Sequence, residues 1–287
     1  MTAPLGRRLC EVTENRASGG YRVFSLRDEQ GPAPEAGQFY MLAAERHWEE
    51  RGGRPFLPRA LSVADAEPMP RSRLFPDAGN NLDFDGVRLD FLLEAVGPGT
   101  ERLCGLEVGE GVWVNGPLGN SFSEPRELTP GAAGAILVGG GIGIAPLALL
   151  RRRFAARGVP SQILLGFRDR AHSGGLDDLF SNCQIGLASD DGHLGERGYV
   201  TELLAAMLEG DDASSAAVYA CGPPPMLEAV RAMCAARGVA CELALESPMA
   251  CGFGACFGCA VPLAEGGYMR LCVDGPVIRG ERLAEVA

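Results

Sequence analysis

Three textures along the 287 residues predict a β + α/β fold: an N-terminal antiparallel β-barrel, a Rossmann-like α/β domain and a small C-terminal segment. Residues 1–128 carry short strand-type runs parted by turn residues, with no long helical period. Residues 129–242 alternate strand and helix, the pattern of a parallel sheet with crossover helices. Residues 243–287 are too few for a core of their own and carry four clustered cysteines.

Composition excludes several classes. With 26 basic against 37 acidic residues the net charge is −11, and no basic run argues for nucleic acid. No apolar run reaches the roughly 18 residues of a spanning helix, so no membrane is expected. The opening MTAPLGRRLCEVTENRAS is too polar for a signal peptide, and the expected compartment is the cytoplasm. There the ten cysteines stay reduced and do not form a disulfide framework. Cys10, Cys104, Cys183, Cys221, Cys234 and Cys241 are scattered and read mostly as small buried apolar side chains.

In the first domain YRVFSL, QFYMLA, RALSV, VRLDFLLEAV and GVWVNGPLG are strands bounded by Gly, Pro, Asn and Asp. ERHWEERGGRPFLP and EPMPRSRLFPDAGNNLDFDG, around 44–57 and 68–86, read as long polar loops. Within PRALSV, Arg59 and Ser62 are a cation and a hydroxyl that can both serve a phosphate. An ordinary exposed pair is the alternative. VGPGT (96–100) and NGPLGNSF (115–122) are turns.

In the second domain GAILVGG, SQILLGF and AAVYACG are strands, and APLALLRRRFAARG, YVTELLAAML and PMLEAVRAMCAARG are helices. LVGGGIGIAPLALL sets Gly139, Gly140, Gly141 and Gly143 between a strand and a helix. Such glycines let the backbone approach a pyrophosphate, and the helix start offers unpaired N–H groups. Ile144 stands where G-x-G-x-x-G has its third glycine, and Pro146 suits a first helical turn. Cys221 and Gly222 close a later strand and are expected to edge the same crevice in an open α/β sheet, the alternative being a tight strand-to-helix turn with Cys221 merely packed.

The cysteines of the last segment, Cys251, Cys256, Cys259 and Cys272, are spaced C-x4-C-x2-C-x12-C. The first three match the plant-type [2Fe–2S] spacing, and Gly252, Gly254 and Gly258 let a loop turn its N–H groups toward sulfur. Zinc is the alternative, although zinc sites commonly pair two C-x2-C knuckles.

In this order RALS, VGPGT, GPLGNSF, GGGIGIAPL, CGPPPM and the cysteines resemble the ferredoxin reductase superfamily. Within it, ESPMACGFGACFGC followed by Cys272 and VDGPVI is similar to the electron-transfer subunits of type B dihydroorotate dehydrogenases. The resemblance implies a FAD-binding β-barrel domain (1–128), an NAD-binding α/β domain (129–242) and a [2Fe–2S] cluster-binding segment (243–287). FAD is then held at Arg59, Ala60, Leu61 and Ser62, where Ala60 departs from the usual proline, and at Leu92, Leu93, Glu94, Gly99 and Thr100. NAD is held at Gly139, Gly140, Gly141, Gly143, Cys221 and Gly222, and the cluster at the four cysteines. The resemblance further implies an FMN-containing catalytic subunit that oxidises dihydroorotate in pyrimidine biosynthesis, assembled with this chain as a heterotetramer. It implies no catalytic residue in this chain, whose three histidines, His47, His172 and His193, lie in loop-like stretches. Arg168 and Arg170 are placed for the 2′-phosphate of NADP, whereas the resemblance favours NAD. Two other readings stand beside it: a flavin/[2Fe–2S] subunit of another NAD(P)H-ferredoxin, sulfur or hydrogen oxidoreductase complex, and a non-catalytic zinc-stabilised binding module.

Overall fold

A computed structural model of the chain describes residues 6–48, 57–70, 84–210 and 215–284. Six strands, β1 (Arg8–Ser18), β2 (Tyr21–Asp28), β3 (Phe39–Ala44), β4 (Arg59–Pro70), β5 (Phe84–Leu93) and β6 (Gly111–Leu118), close into a barrel in the order β1-β2-β5-β4-β3-β6. Neighbouring strands are antiparallel throughout. Alternation builds the barrel core: on β6 Val112 and Val114 turn inward and meet Phe24, Tyr40, Leu42, Phe91 and Leu93, whereas Leu118 packs in a second cluster with Phe39, Met41 and Cys259. Helix α1 (Pro98–Cys104) connects β5 to β6, and the single turn α2 (Pro125–Leu128) leads out of the barrel.

Two features depart from the sequence reading. β1 is a strand although CEVTENRAS is mostly polar, because only Cys10 and Val12 turn fully into the core. What holds it is pairing on both sides, to β2 and to β6. β4 and β5 also run on into the expected second loop, pairing Pro68 with Val87 and Pro70 with Phe84 across a register shift that suits proline. The rest of the two expected loops, 49–56 and 71–83, lies outside the described residues.

The second sheet contains β7 (Gly134–Gly140), β8 (Ser161–Phe167), β9 (Ile185–Ser189), β10 (Glu196–Arg197), β11 (Ala216–Cys221), β12 (Cys241–Ala244) and β15 (Val277–Arg279), in the order β10-β9-β8-β7-β11-β12-β15. Helices α3 (Ile144–Ala156), α4 (Leu176–Phe180), α5 (Val200–Met207) and α6 (Pro224–Arg237) fall between its strands. All pairings are parallel except β12 with β15. From β7 the chain winds outward to β8 and β9, then returns to β11 on the other side, so β7 and β11 flank the switch point of the sheet.

The expected boundary at 242 falls inside β12, and β15 brings the C-terminal segment back as the edge of the nucleotide sheet. The hairpin of β13 (Ala260–Pro262) and β14 (Tyr268–Arg270) follows the cysteine loop. Asn120 ties this segment to the barrel, accepting from the Val277 N–H (2.9 Å) and donating to its carbonyl (2.8 Å). Barrel and sheet share one buried layer, in which Tyr21, Ala64 and Leu92 pack with Ile144, Leu147 and Leu150. Arg152, on α3, reaches across to Asp65 and Glu67. All ten cysteines are free thiols, and of the six scattered ones Cys10, Cys221, Cys234 and Cys241 are buried. Among the described residues no helix is long and apolar enough to cross a membrane.

Candidate functional site

A cleft of about 880 Å³ opens at the carboxyl ends of β7, β8 and β11. That volume suits a cofactor-sized ligand. Gly140, Gly141, Gly143 and Gly222 line it as expected, with Pro223, Pro224, Pro225 and Met226 along the opposite rim. Gly141 turns at φ 54°, and Pro224 and Pro225 open α6, where a missing N–H costs nothing. The two glycine turns touch: a β-carbon on Gly143 would lie 2.6 Å from the Cys221 carbonyl oxygen, and one on Gly222 2.6 Å from Met226 Cε. Gly139 and Cys221 are placed differently. Both are beneath the cleft, Gly139 admitting Leu165, Ile144 and Leu147, and the Cys221 thiol pushed well up by complete burial.

Residues that the motifs did not single out complete the cleft. Tyr21 reaches in from the barrel, edge-on to His172 at 6.2 Å, and burial lifts its hydroxyl to about 12. Asp169 accepts from His172 Nδ1 (2.7 Å) and from the His172 backbone N–H, and these bonds draw its carboxyl down to about 2. Asp190, at the end of β9, and Tyr199 line the same wall as Arg168, whereas Arg170 does not. Glu246, exposed, lines the same cleft. These residues come from strand ends and from the far domain, with no spacing in the chain to announce them.

On the barrel, the expected flavin residues split between faces. In the regular part of β4, Leu61 packs toward the barrel core and Ala60 toward the opposite cluster, so Ser62 shares a face with Ala60 and not with Arg59. Arg59 and Ser62, three residues apart, therefore lie on opposite faces of the strand. Arg59 turns instead to the start of α1, against Gly99, where a β-carbon would collide with the guanidinium. That group lies 5.9 Å from the centre of the Trp48 ring, donates to the Leu57 carbonyl (2.6 Å) and has no carboxylate partner among the described residues. A cation without a counter-ion beside a helix start fits a pyrophosphate. The Thr100 hydroxyl is used locally, accepting from Val96 and Gly97 N–H (3.0 and 3.2 Å). Of the β5 end, Leu93 is barrel core, Leu92 packs at Gly175 between the domains, and Glu94 enters the cleft, 3.8 Å from His172.

The cysteine loop turns through left-handed conformations at Gly252 (φ 74°), Gly254 (φ 83°) and Phe257 (φ 56°). Those turns aim N–H groups at sulfur. Against the upward push of partial burial, the N–H groups of Phe253, Cys256 and Ala255, with the Cys256 thiol, bring Cys251 down to about 6. Gly258 N–H lies 3.5 Å from Cys256 Sγ. Burial, then the neighbouring Cys259 thiol, lifts Cys272 to about 12. The four thiols thus stand as two pairs, Cys251 with Cys256 and Cys259 with Cys272. Among the described residues no three ligating side chains converge on one point as a single ion requires. Two pairs with N–H donors fit a binuclear iron–sulfur cluster.

This loop lies against the barrel. Gly252 admits Met41 of β3, and a groove of about 390 Å³ is shared by Cys251 and Phe253 with Met41, Trp48, Pro58, Trp113 and Asn115. Pro58 immediately precedes Arg59, so the sulfur loop and the flavin strip meet.

Comparison with known proteins agrees with this geometry. Residues 246–284 match the family model for the iron–sulfur cluster binding domain of dihydroorotate dehydrogenase B. The chain is 32% identical over 258 residues to the electron transfer subunit of dihydroorotate dehydrogenase B (NAD(+)) from Caldanaerobacter subterraneus subsp. tengcongensis, covering 88% of this chain and 89% of that one. It is 38% identical over 220 residues to the subunit of the same description from Bacillus caldolyticus, covering 76% and 81%. In fold it matches an NADH-dependent reduced ferredoxin-NADP oxidoreductase (TM-score 0.74, 23% identity, 98% of this chain and 91% of that one). It also matches a ferredoxin NADP+ reductase from Neisseria gonorrhoeae solved with FAD and NADP (TM-score 0.60, 16% identity, 82% and 93%). With a relative this similar along nearly its whole length, and the cysteine segment matched by the family's own domain, the chain belongs to the family of dihydroorotate dehydrogenase B (NAD(+)) electron transfer subunits.

Proposed function

We propose that the chain links a dihydroorotate-oxidising subunit to NAD+ in pyrimidine biosynthesis, with FAD and a [2Fe–2S] cluster as its resident cofactors. What carries this reading is the adjacency of Cys251 and Pro58 in one groove, with Glu94 and Tyr21 leading on into the glycine cleft. The flavin strip on β4 and β5 lies between the two, since Arg59 follows Pro58 and Glu94 follows β5 in the cleft. Bound FAD exchanges hydride with nicotinamide and single electrons with an iron–sulfur centre, joining two-electron to one-electron chemistry.

The work divides along the chain. Residues 1–128 bind FAD, 129–242 bind NAD, and 243–287 hold the cluster through Cys251, Cys256, Cys259 and Cys272. Arg59 would neutralise the flavin pyrophosphate beside Gly99 and Thr100, while Ala60, Ser62 and Glu94, with the backbone of Leu61, Leu92 and Leu93, would form the strip along the flavin. Gly140, Gly141, Gly143 and Gly222 present backbone to the dinucleotide, with Gly139 and Cys221 packed beneath to let helix and strand approach. Asp190, a carboxylate on the cleft wall beside Arg168, would suit a ribose hydroxyl and supports NAD over NADP.

The partner is a catalytic subunit containing FMN, and the assembly is a heterotetramer working in the cytoplasm. Phe253, Phe257 and Val273 are exposed around the exposed Cys256, an apolar rim suited to that contact. The test is dihydroorotate-dependent reduction of NAD+ by the purified chain, with and without the FMN-bearing subunit. Activity is expected only with it. Turnover by this chain alone overturns the subunit reading; failure with the cognate partner would turn the assignment toward another flavin/[2Fe–2S] complex.

A further inference from the structure

Arg270 ends β14, two residues before Cys272, and its guanidinium is gripped from three sides. Nε donates to Asp274 Oδ2 at 3.0 Å, Nη1 donates to the Gly254 carbonyl at 3.3 Å, and the group lies 5.4 Å from the centre of the Phe257 ring. Asp274 is itself fixed: its carboxylate also accepts from the Arg270 backbone N–H (3.1 Å), and its own N–H donates to the Arg270 carbonyl (2.8 Å). Glycine at 254 is what permits the approach, since a β-carbon there would lie 3.1 Å from Nη1 and 2.8 Å from a Val273 methyl. The cation therefore spans the loop between Cys251 and Cys259 and the turn after Cys272. The neighbouring Leu271 N–H donates to the Cys259 carbonyl (3.1 Å), so the cation is anchored beside two of the four cysteines.

A cluster held by four thiolates is a net anion, and reduction adds one further negative charge. A fixed cation favours the more negative state, and cluster potentials respond to nearby charge and to hydrogen bonding at sulfur. A mobile surface arginine would be screened by solvent, but this one is held on the loop by an ion pair, a carbonyl and an aromatic face.

We propose that Arg270 is a positioning residue that raises the electron affinity of the [2Fe–2S] cluster, with Asp274 holding its guanidinium in place and partly offsetting its charge. The proposal rests on the cluster assignment made above.

The experiment is a redox titration of the cluster in the purified holoprotein, followed by electron paramagnetic resonance, with iron and acid-labile sulfide measured on the same samples. Wild type is compared with Arg270→Lys, Arg270→Gln and Asp274→Asn. Arg270→Gln is expected to keep its iron and shift the midpoint potential negative. Arg270→Lys should lie between Gln and wild type, and Asp274→Asn should shift it positive. The shifts should shrink as ionic strength rises. An unchanged potential in iron-replete Arg270→Gln overturns the proposal, as do same-direction shifts in Arg270→Gln and Asp274→Asn, which would mean that the loop had merely loosened. If Arg270→Gln does not retain iron, Asp274→Asn decides: a positive shift supports the proposal and any other result overturns it. Absence of a cluster from wild type removes the assignment together with the proposal.

Discussion

Replacing Gly143 with alanine places a methyl group where the two glycine turns of the cleft meet. The new β-carbon would lie 2.6 Å from the Cys221 carbonyl oxygen and 2.7 Å from both the Cys221 carbonyl carbon and Gly222 Cα. Ordinary contact begins near 3.4 Å, so the turns would have to part by about 0.8 Å. All three obstructing atoms are backbone, so no side chain can rotate away to relieve the clash. Overpacking of this kind costs about 1–3 kcal/mol. For a chain of this size that lowers the melting temperature by roughly 2–12 °C, at about 2–4 °C per kcal/mol. The displaced segment includes Gly222, which lines the cleft, so the Michaelis constant for NADH should rise as well. Melting would be followed by circular dichroism, and NADH oxidation with an artificial acceptor would give the second readout. Flavin and iron content, set elsewhere, should stay at wild-type levels. A variant with unchanged melting temperature and unchanged Michaelis constant would refute the argument that these turns are in contact.

Cys256→Ser should lose the cluster and keep FAD, because the thiol pairs lie outside the barrel strip; full iron content in a folded variant would remove Cys256 as a ligand. Arg59→Ala should weaken FAD binding by about 1.5–3 kcal/mol, the worth of a charge-assisted hydrogen bond, or roughly 10- to 150-fold in a titration of the apoprotein. It should leave iron content unchanged, and an unaltered FAD affinity would rule out Arg59 as a phosphate ligand.

Much of the candidate site was legible because its chemistry is local. Glycines at a strand-to-helix turn, and cysteines whose spacing lets one loop wrap a cluster, declare themselves within a few residues. β7, β8 and β11 were equally plain, since strands buried on both faces read as continuous apolar runs, as in GAILVGG. β1 was not, because its polar residues face outward and its place depends on strands β2 and β6 far apart in the chain. β12 and β15 have only four and three residues, too few for a period to emerge.

The sequence by itself therefore determined the order of the domains, the turn that can receive a dinucleotide, and the four candidate sulfur ligands. Tertiary structure alone decided which of them meet. The pleat sent Arg59 and Ser62 to different faces, barrel closure swung Arg59 onto Gly99, and the return of β15 set the cysteine loop against Met41 of the barrel. It also brought Tyr21, Asp190 and Glu246 to one cleft from separate domains and segments. A motif is written in neighbouring residues, whereas a shared wall is made by strand order and domain packing, which bring distant residues together without marking any one of them.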